Sequence, residues 1–314
     1  MSIFGIVVLV IVVLVVLVLV ASSLYFYRVG VYRQPKAFLI DNPDLQPIEA
    51  SDLPIEDVAW VERQPFERIE MKSWDGLLLR AFYLPAPQAT TKTVVLAHGY
   101  TGSSKLNMGP FAQMYHERFG YNVLMPDARG HGESEGNYIG FGWHERLDYV
   151  KWIHLLTQRL GEEIQVVLHG VSMGGATVLM TSGEPLPTQV KAVVADCAYT
   201  SAYDILAYQG KRMYHIPAFP FVDLTSLVCK LRSGFFFQEA SALKQVQKTS
   251  LPILFIHGEE DTFVPTAMVH QLYAACPTYK ELYVVPNAGH GLAYDTDPAT
   301  YTRRCQQFLS RFIV

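Results

Sequence analysis

Two hydrophobic patterns divide the chain. From Ile3 to Val20 almost every position is Val, Leu or Ile, and the first charged residue is Arg28. These eighteen positions rise about 1.5 Å each, which nearly crosses a hydrocarbon core of roughly 30 Å. The run predicts a membrane helix over residues 1–27, with Tyr25 and Tyr27 at the interface and Arg28, Arg33 and Lys36 beyond it. A cleaved signal peptide would use Ala21-Ser22-Ser23. Against it, no basic segment precedes the run, and the run exceeds the usual length of about 7–15 residues. A soluble core helix would need a polar face, and this run has none.

Beyond residue 60 the apolar positions come in short bursts. Ile69 and Met71 alternate with Glu70 and Lys72, and Asp75-Gly76 precedes Leu77–Leu84, which predicts a hairpin. Apolar runs then follow at Val94–Ala97, Asn122–Met125, Ile164–Leu168, Val190–Ala195, Ile253–Ile256 and Leu282–Val285. Amphipathic stretches near 107–118, 143–160, 173–182, 266–275 and 298–312 fall between and after them. Apolar strand alternating with helix predicts a mostly parallel sheet covered on both faces. Between the two patterns, residues 28–60 carry Pro35, Pro43, Pro47 and Pro54 in a mildly acidic stretch. They read as a linker lifting a domain at 61–314 off the bilayer.

Composition narrows the function. The 25 Lys and Arg against 29 Asp and Glu give a formal charge of −4, and no basic face implies nucleic acid as a partner. At 50% hydrophobic and 17% charged, the chain is too apolar for disorder. Cys197, Cys229, Cys276 and Cys305 are widely spaced, with neither a CxxC pair nor a zinc pattern, and read as buried thiols. No other run is comparable, which implies a single span; the basic residues after it lean toward a domain on the cytoplasmic side, and the alternative is a signal anchor with the domain outside. The oligomeric state is not legible in the sequence.

Ligands of open α/β sheets bind at the carboxyl ends of the strands, so the segments after each strand carry the chemistry. Ile164–Leu168 leads into His169-Gly170-Val171-Ser172-Met173-Gly174-Gly175. Gly170-x-Ser172-x-Gly174 between a strand and a helix is the pattern of a nucleophile elbow. Such a serine needs a base, and the base needs an orienting carboxylate. His257-Gly258-Glu259-Glu260-Asp261 follows one late strand and Gly289-His290-Gly291 follows the next, which nominates Asp261 and His290. Glu259 and Glu260 are neighbouring alternatives for the acid, whereas Asp295 and Asp297 read as a turn and a helix cap. Backbone N–H groups of Met173 and Tyr100 are the expected oxyanion donors, the latter from His98-Gly99-Tyr100 after an early strand. His98 reads as a support for that loop.

Pro126-Asp127-Ala128-Arg129-Gly130-His131-Gly132-Glu133-Ser134 reads as a loop pinned by internal ion pairs. His144-Glu145-Arg146-Leu147-Asp148 only approaches a zinc helix, with Asp148 where a second histidine belongs. No dinucleotide fingerprint or metal-ligand spacing is present, so the sequence implies no metal and no cofactor.

Together, His98-Gly99, Pro126-Asp127-x-Arg129-Gly130-His131-Gly132-x-Ser134, Gly170-x-Ser172-x-Gly174-Gly175, His257-Gly258-x-x-Asp261-x-x-Val264-Pro265 and Gly289-His290 resemble the α/β-hydrolase superfamily. The resemblance covers roughly residues 66–314 and lies nearest to S33-peptidase-like and membrane-anchored esterase-like serine hydrolases. It implies an α/β-hydrolase fold: a mostly parallel sheet with helices on both faces and a small lid, here about 202–250. That segment is rich in aromatics such as Tyr203, Tyr208, Phe221 and Phe235. They form either an apolar wall over the site or the glue that holds short helices to the core. The expected activity is hydrolysis of an acyl ester or lipid. The alternatives are an S33-like peptidase or amidase and a non-catalytic binding protein on the same fold.

Overall fold

The computed structural model describes residues 2–40, 42, 44–45 and 60–314. Eight strands form one sheet: β1 (Glu67–Lys72), β2 (Leu78–Leu84), β3 (Lys92–Ala97), β4 (Asn122–Pro126), β5 (Gln165–Val171), β6 (Val190–Asp196), β7 (Ile253–Gly258) and β8 (Lys280–Val285). Their spatial order is β1-β2-β4-β3-β5-β6-β7-β8. The expected hairpin is the antiparallel pair β1–β2, and β2 pairs antiparallel with β4. Every later pairing is parallel. The α/β-hydrolase fold is therefore the observed architecture.

Side chains of the central strands alternate between two cores. Val95, Leu168, Val193 and Phe255 join Trp152, Leu156 and Leu179 on one face. Val94, Leu96, Val167 and Val194 join Met108, Tyr115, Tyr301 and Phe308 on the other. This period of two fills both faces because helices cover both, and it explains why the strands read as continuous apolar runs.

Two strands run two or more residues past the ends of their apolar runs. β5 continues through His169, Gly170 and Val171, and β7 includes His257 and Gly258. Polar His169 looks like a strand end, yet it is fully buried, with Nδ1 and Nε2 each 3.1 Å from the hydroxyls of Tyr115 and Tyr301. Its polarity is satisfied inside the fold, so the ladder does not stop there.

The N-terminal helix spans Ile3–Gly30, three residues past the expected end at 27. Ser23 and Tyr27 are buried on one side of it, against the helix Ala218–Ser233, and the Tyr27 and Ser233 hydroxyls lie 2.9 Å apart. The Lys36 ammonium closes the helix by donating to the carbonyls of Val29 and Tyr32, each at 2.7 Å. The stretch expected as a linker therefore begins as helix. It then lies along the domain, where the Arg33 guanidinium donates to the carbonyls of Gly132 at 2.7 Å and Ser134 at 2.8 Å. Residues 46–59 of that stretch fall outside the described residues. The expected insertion over about 202–250 holds helices Ala202–Tyr214, Ala218–Ser233 and Ala242–Val246.

Candidate active site

β5 ends at Val171, and the helix Met173–Ser182 starts two residues later, leaving Ser172 alone in the turn. Its backbone sits at φ 58° and ψ −118°, a left-handed conformation that strains any residue with a Cβ. The Ser172 N–H donates to the Asp196 carbonyl at 2.9 Å and holds the turn against the end of β6. Glycine is required on either side for a measurable reason. A Cβ on Gly170 would meet the Gly174 carbonyl oxygen at 2.1 Å, and one on Gly174 would meet that of Ala97 at 1.9 Å.

The loops after β7 and β8 bring the other two expected residues to Ser172. The Ser172 Oγ lies 2.9 Å from His290 Nε2, and His290 Nδ1 lies 2.8 Å from Asp261 Oδ2. Asp261 also accepts from the N–H groups of Phe263 at 3.0 Å and Val264 at 2.8 Å, and its side chain is fully buried. Burial works to raise this carboxyl, but the adjacent His290 and His257 rings outweigh it and hold the group at about 2. An ionised Asp261 requires the proton on His290 Nδ1, which leaves Nε2 free to accept from the Ser172 hydroxyl. A hydroxyl, an accepting imidazole and an orienting carboxylate in this order are what activation of a serine requires. Glu259 and Glu260, the alternatives for the acid, are exposed. Asp297 caps the helix Pro298–Leu309 by accepting from the Thr300 N–H at 3.0 Å.

His257 is a partner of Asp261 that the motif alone does not reveal. Its Nε2 lies 2.8 Å from the Val264 carbonyl and 3.2 Å from Asp261 Oδ2. It braces the carboxylate at the same oxygen that His290 meets. Cys197, just after β6, brings its thiol within 4.8 Å of the Asp261 and His290 ligand atoms. Burial pushes that thiol well above its usual range, so it is a neutral neighbour. All four cysteines are free and buried, as their spacing suggests.

The loop after β3 faces the serine. A Cβ on Gly99 would lie 3.5 Å from the Ser172 Cβ, so the backbone here passes close to Ser172. Met173 is the first residue of its helix, where an N–H has no intrahelical acceptor. Among the described residues, the Tyr100 N–H has no backbone acceptor. Two histidines brace this loop. His98 Nε2 accepts from the Ala128 N–H at 3.0 Å while Nδ1 lies 2.8 Å from the Gly99 carbonyl. His131 Nε2 accepts from the Thr101 N–H at 3.2 Å. Burial lowers both rings, His131 to about 3, so each stays neutral and can accept.

The 126–136 loop is pinned by ion pairs. Arg129, whose side chain is fully buried, makes bidentate bonds to Asp148 at 2.7 and 2.8 Å and to Asp75 at 2.8 and 3.1 Å. Asp148 is thus occupied as an ion-pair partner. Glu145 accepts from the Gly140 N–H at 2.9 Å, and His144 Nδ1 lies 2.6 Å from the Tyr138 hydroxyl.

Ser172, Met173 and Tyr100 line a cavity of about 120 Å³. Lid residues Met213, Tyr214 and Phe221 form part of its wall. So do Phe26, Val29 and Gly30 of the N-terminal helix, and the Tyr100 hydroxyl donates to the Gly30 carbonyl at 2.6 Å. The sequence pattern does not reveal this contribution, although aromatics clustered at the end of the apolar run are its trace. The lid aromatics divide between the two readings. Phe221 and Tyr214 face the cavity, Phe237 faces it from the buried core, and Phe235 is buried without lining it.

Residues 94–304 match the alpha/beta hydrolase family. The chain belongs to that family. YqkD of Bacillus subtilis, an uncharacterized protein, is 31% identical to this hydrolase over 227 residues, 72% of this chain and 74% of the relative. The uncharacterized membrane protein YNL320W of Saccharomyces cerevisiae is 24% identical over 230 residues, 72% of this chain and 74% of that one. Among solved structures, the Pyrococcus furiosus esterase Pf2001 has a TM-score of 0.65 to this hydrolase at 24% identity. That match covers 82% of this chain and 94% of the other, and supports the fold.

Proposed function

We propose that the protein is a membrane-anchored serine hydrolase that cleaves carboxylic acyl esters. The observation that carries this reading is the unbroken Ser172–His290–Asp261 chain of hydrogen bonds opening on an apolar cavity. Ser172 Oγ attacks the ester carbonyl while His290 Nε2 takes its proton. Asp261 holds the imidazole in the accepting tautomer and stabilises the imidazolium. The N–H groups of Tyr100 and Met173 stabilise the oxyanion. The imidazolium returns its proton to the leaving alkoxide, and water activated by His290 then releases the acyl group from Ser172.

The cavity favours an ester over a peptide. A peptidase acting at a free amino terminus needs an acid to hold the substrate amine. Among the described residues, no charged side chain lines the cavity, and Glu259 and Glu260 do not reach it. An acyl chain needs only apolar walls.

The 28-residue helix Ile3–Gly30 is long and apolar enough to span a bilayer once. Arg28 lies in the last turn of this helix and Arg33 and Lys36 follow it, a placement that by the positive-inside rule favours a domain on the cytoplasmic side.

The test uses the full chain in detergent with nitrophenyl esters and a fluorophosphonate probe. Ser172→Ala is expected to lose ester turnover and labelling while keeping the wild-type melting temperature. Turnover above about a hundredth of wild type in that variant would exclude Ser172 as the nucleophile.

A further inference from the structure

The N-terminal helix is longer than a bilayer requires. Its 28 residues extend about 42 Å, of which a hydrocarbon core takes roughly 30 Å. Counting from Ile3, about twenty residues fill that core and Ser23–Gly30 project beyond it. Phe26 lies about 6 Å past Ser22, within a headgroup layer that is roughly 5–8 Å deep on each side. Phe26, Val29 and Gly30 are also walls of the cavity that holds Ser172. On this count the near edge of the cavity, at Phe26, lies in the headgroup layer, about 6 Å above the boundary where the ester carbonyls of a bilayer lipid lie.

The lid element beside this helix carries a matching surface. Ala218–Ser233 packs along the N-terminal helix through the Tyr27–Ser233 contact. Its Leu224, Leu227 and Leu231 recur at helical spacing on one stripe, and Leu231 is 78% exposed. Leu227, 45% exposed, and Leu231 are left in water on a helix packed against the membrane span, and an exposed apolar surface in that position suits lipid. Phe26 meets Tyr214 of the lid helix Ala202–Tyr214 edge to face, with ring centroids 5.2 Å apart, so two of the lid helices contact the same end of the span.

Resting on the ester-hydrolase reading, we propose that the cavity is loaded from the side by a bilayer-resident acyl ester. Its acyl chain lies against Phe26 and Val29, and the Leu224–Leu227–Leu231 stripe rests in the lipid beside the span. The N-terminal helix is then a wall of the binding site as well as an anchor. The Tyr100–Gly30 hydrogen bond joins that wall to the loop bearing one proposed oxyanion donor.

The test uses the full chain reconstituted in phosphatidylcholine nanodiscs, with water-soluble nitrophenyl acetate and a bilayer-resident palmitoyl ester as paired substrates. Val29→Trp, which fills the wall, is expected to lower the palmitoyl-to-acetyl ratio of kcat/KM at least tenfold. Val29→Ala, a smaller change that keeps the helix, is expected to shift the preferred acyl length by two or more carbons. Leu231→Glu is expected to lower the same ratio at least fivefold in nanodiscs but less than twofold in detergent micelles. Ratios within twofold of wild type in all three variants, with fluorophosphonate labelling of Ser172 intact, would overturn lateral loading and leave the hydrolase reading standing. Absence of labelling and of acetate turnover in the unmodified protein would overturn both.

Discussion

Replacing Asp261 with asparagine is the sharpest probe of the site, because the change is nearly isosteric and its consequence follows from named bonds. Asp261 Oδ1 accepts from the N–H groups of Phe263 and Val264, so the asparagine oxygen is drawn to that side. The new NH₂ then faces His290 Nδ1 and His257 Nε2, which lie 2.8 and 3.2 Å from Asp261 Oδ2. A donor there forces His290 into the tautomer with its proton on Nε2, pointing at Ser172. That tautomer cannot take the serine proton. The expected loss is about 10⁴-fold in kcat, or roughly 5 kcal/mol of barrier. Stability changes in a defined direction as well. Asp261 is held at about 2 in the fold against an ordinary 3.8, so its ionised form contributes stability at neutral pH. That contribution, about 2 kcal/mol, is fully present above the ordinary value and is lost as pH falls through about 2. The gap in urea stability between wild type and Asp261→Asn is therefore expected to close between about pH 4 and pH 2. The assays are nitrophenyl ester kinetics and urea unfolding followed by circular dichroism. Retention of more than about a tenth of wild-type kcat would refute the role given to Asp261. Glu260→Gln, on an exposed neighbour, is expected to stay within twofold of wild type.

Three further outcomes follow from the geometry. Arg129→Met removes a buried guanidinium and leaves Asp148 unpaired, at an expected cost of about 3–5 kcal/mol in urea unfolding; a cost under about 1 kcal/mol would contradict the pinned-loop account. Asp196 is fully buried with one oxygen unpartnered, and burial raises it to about 6 against the hydrogen bond from Tyr301. A raised acid favours the fold while protonated and loses that stability as pH rises through about 6. Asp196→Asn, which mimics the protonated acid, is expected to be more stable than wild type at pH 8 by up to about 3 kcal/mol and equal to it near pH 4, read from paired unfolding curves. Deleting residues 1–30 removes Phe26 and Val29 from the cavity wall and Tyr27 from the lid contact. Differential scanning calorimetry is expected to show a melting temperature at least about 4 °C below that of the full chain in detergent, and an unchanged transition would mean the lid does not depend on the helix.

Much of this protein is legible in its sequence because the fold concentrates chemistry at strand ends. A strand that stops, a turn that needs glycine and a helix that begins are all local events. Gly170-x-Ser172-x-Gly174 therefore carries its own geometry, and the clashes at Gly170 and Gly174 show why. The continuous apolar runs likewise determined the two-faced sheet, because each strand alternates between two buried cores. The length and composition of Ile3–Val20 determined a helix able to cross a bilayer.

Tertiary structure alone decided what no local pattern encodes. Tyr27 meets Ser233 across 206 positions, and Tyr100 meets Gly30 across 70. Such contacts depend on how the sheet delivers distant loops, not on the residues beside them. For that reason the proline-punctuated stretch after the helix reads as a spacer, although Lys36 and Arg33 clasp it to the helix end and the domain. His257 at the side of Asp261, and Phe26 and Val29 in the cavity wall, emerge in the same way. The sequence determined which groups are available for chemistry. The packing of the N-terminal helix against the lid decided which side chains wall the cavity at Ser172: with Ser23 and Tyr27 buried against the fold, Phe26 and Val29 join its lining.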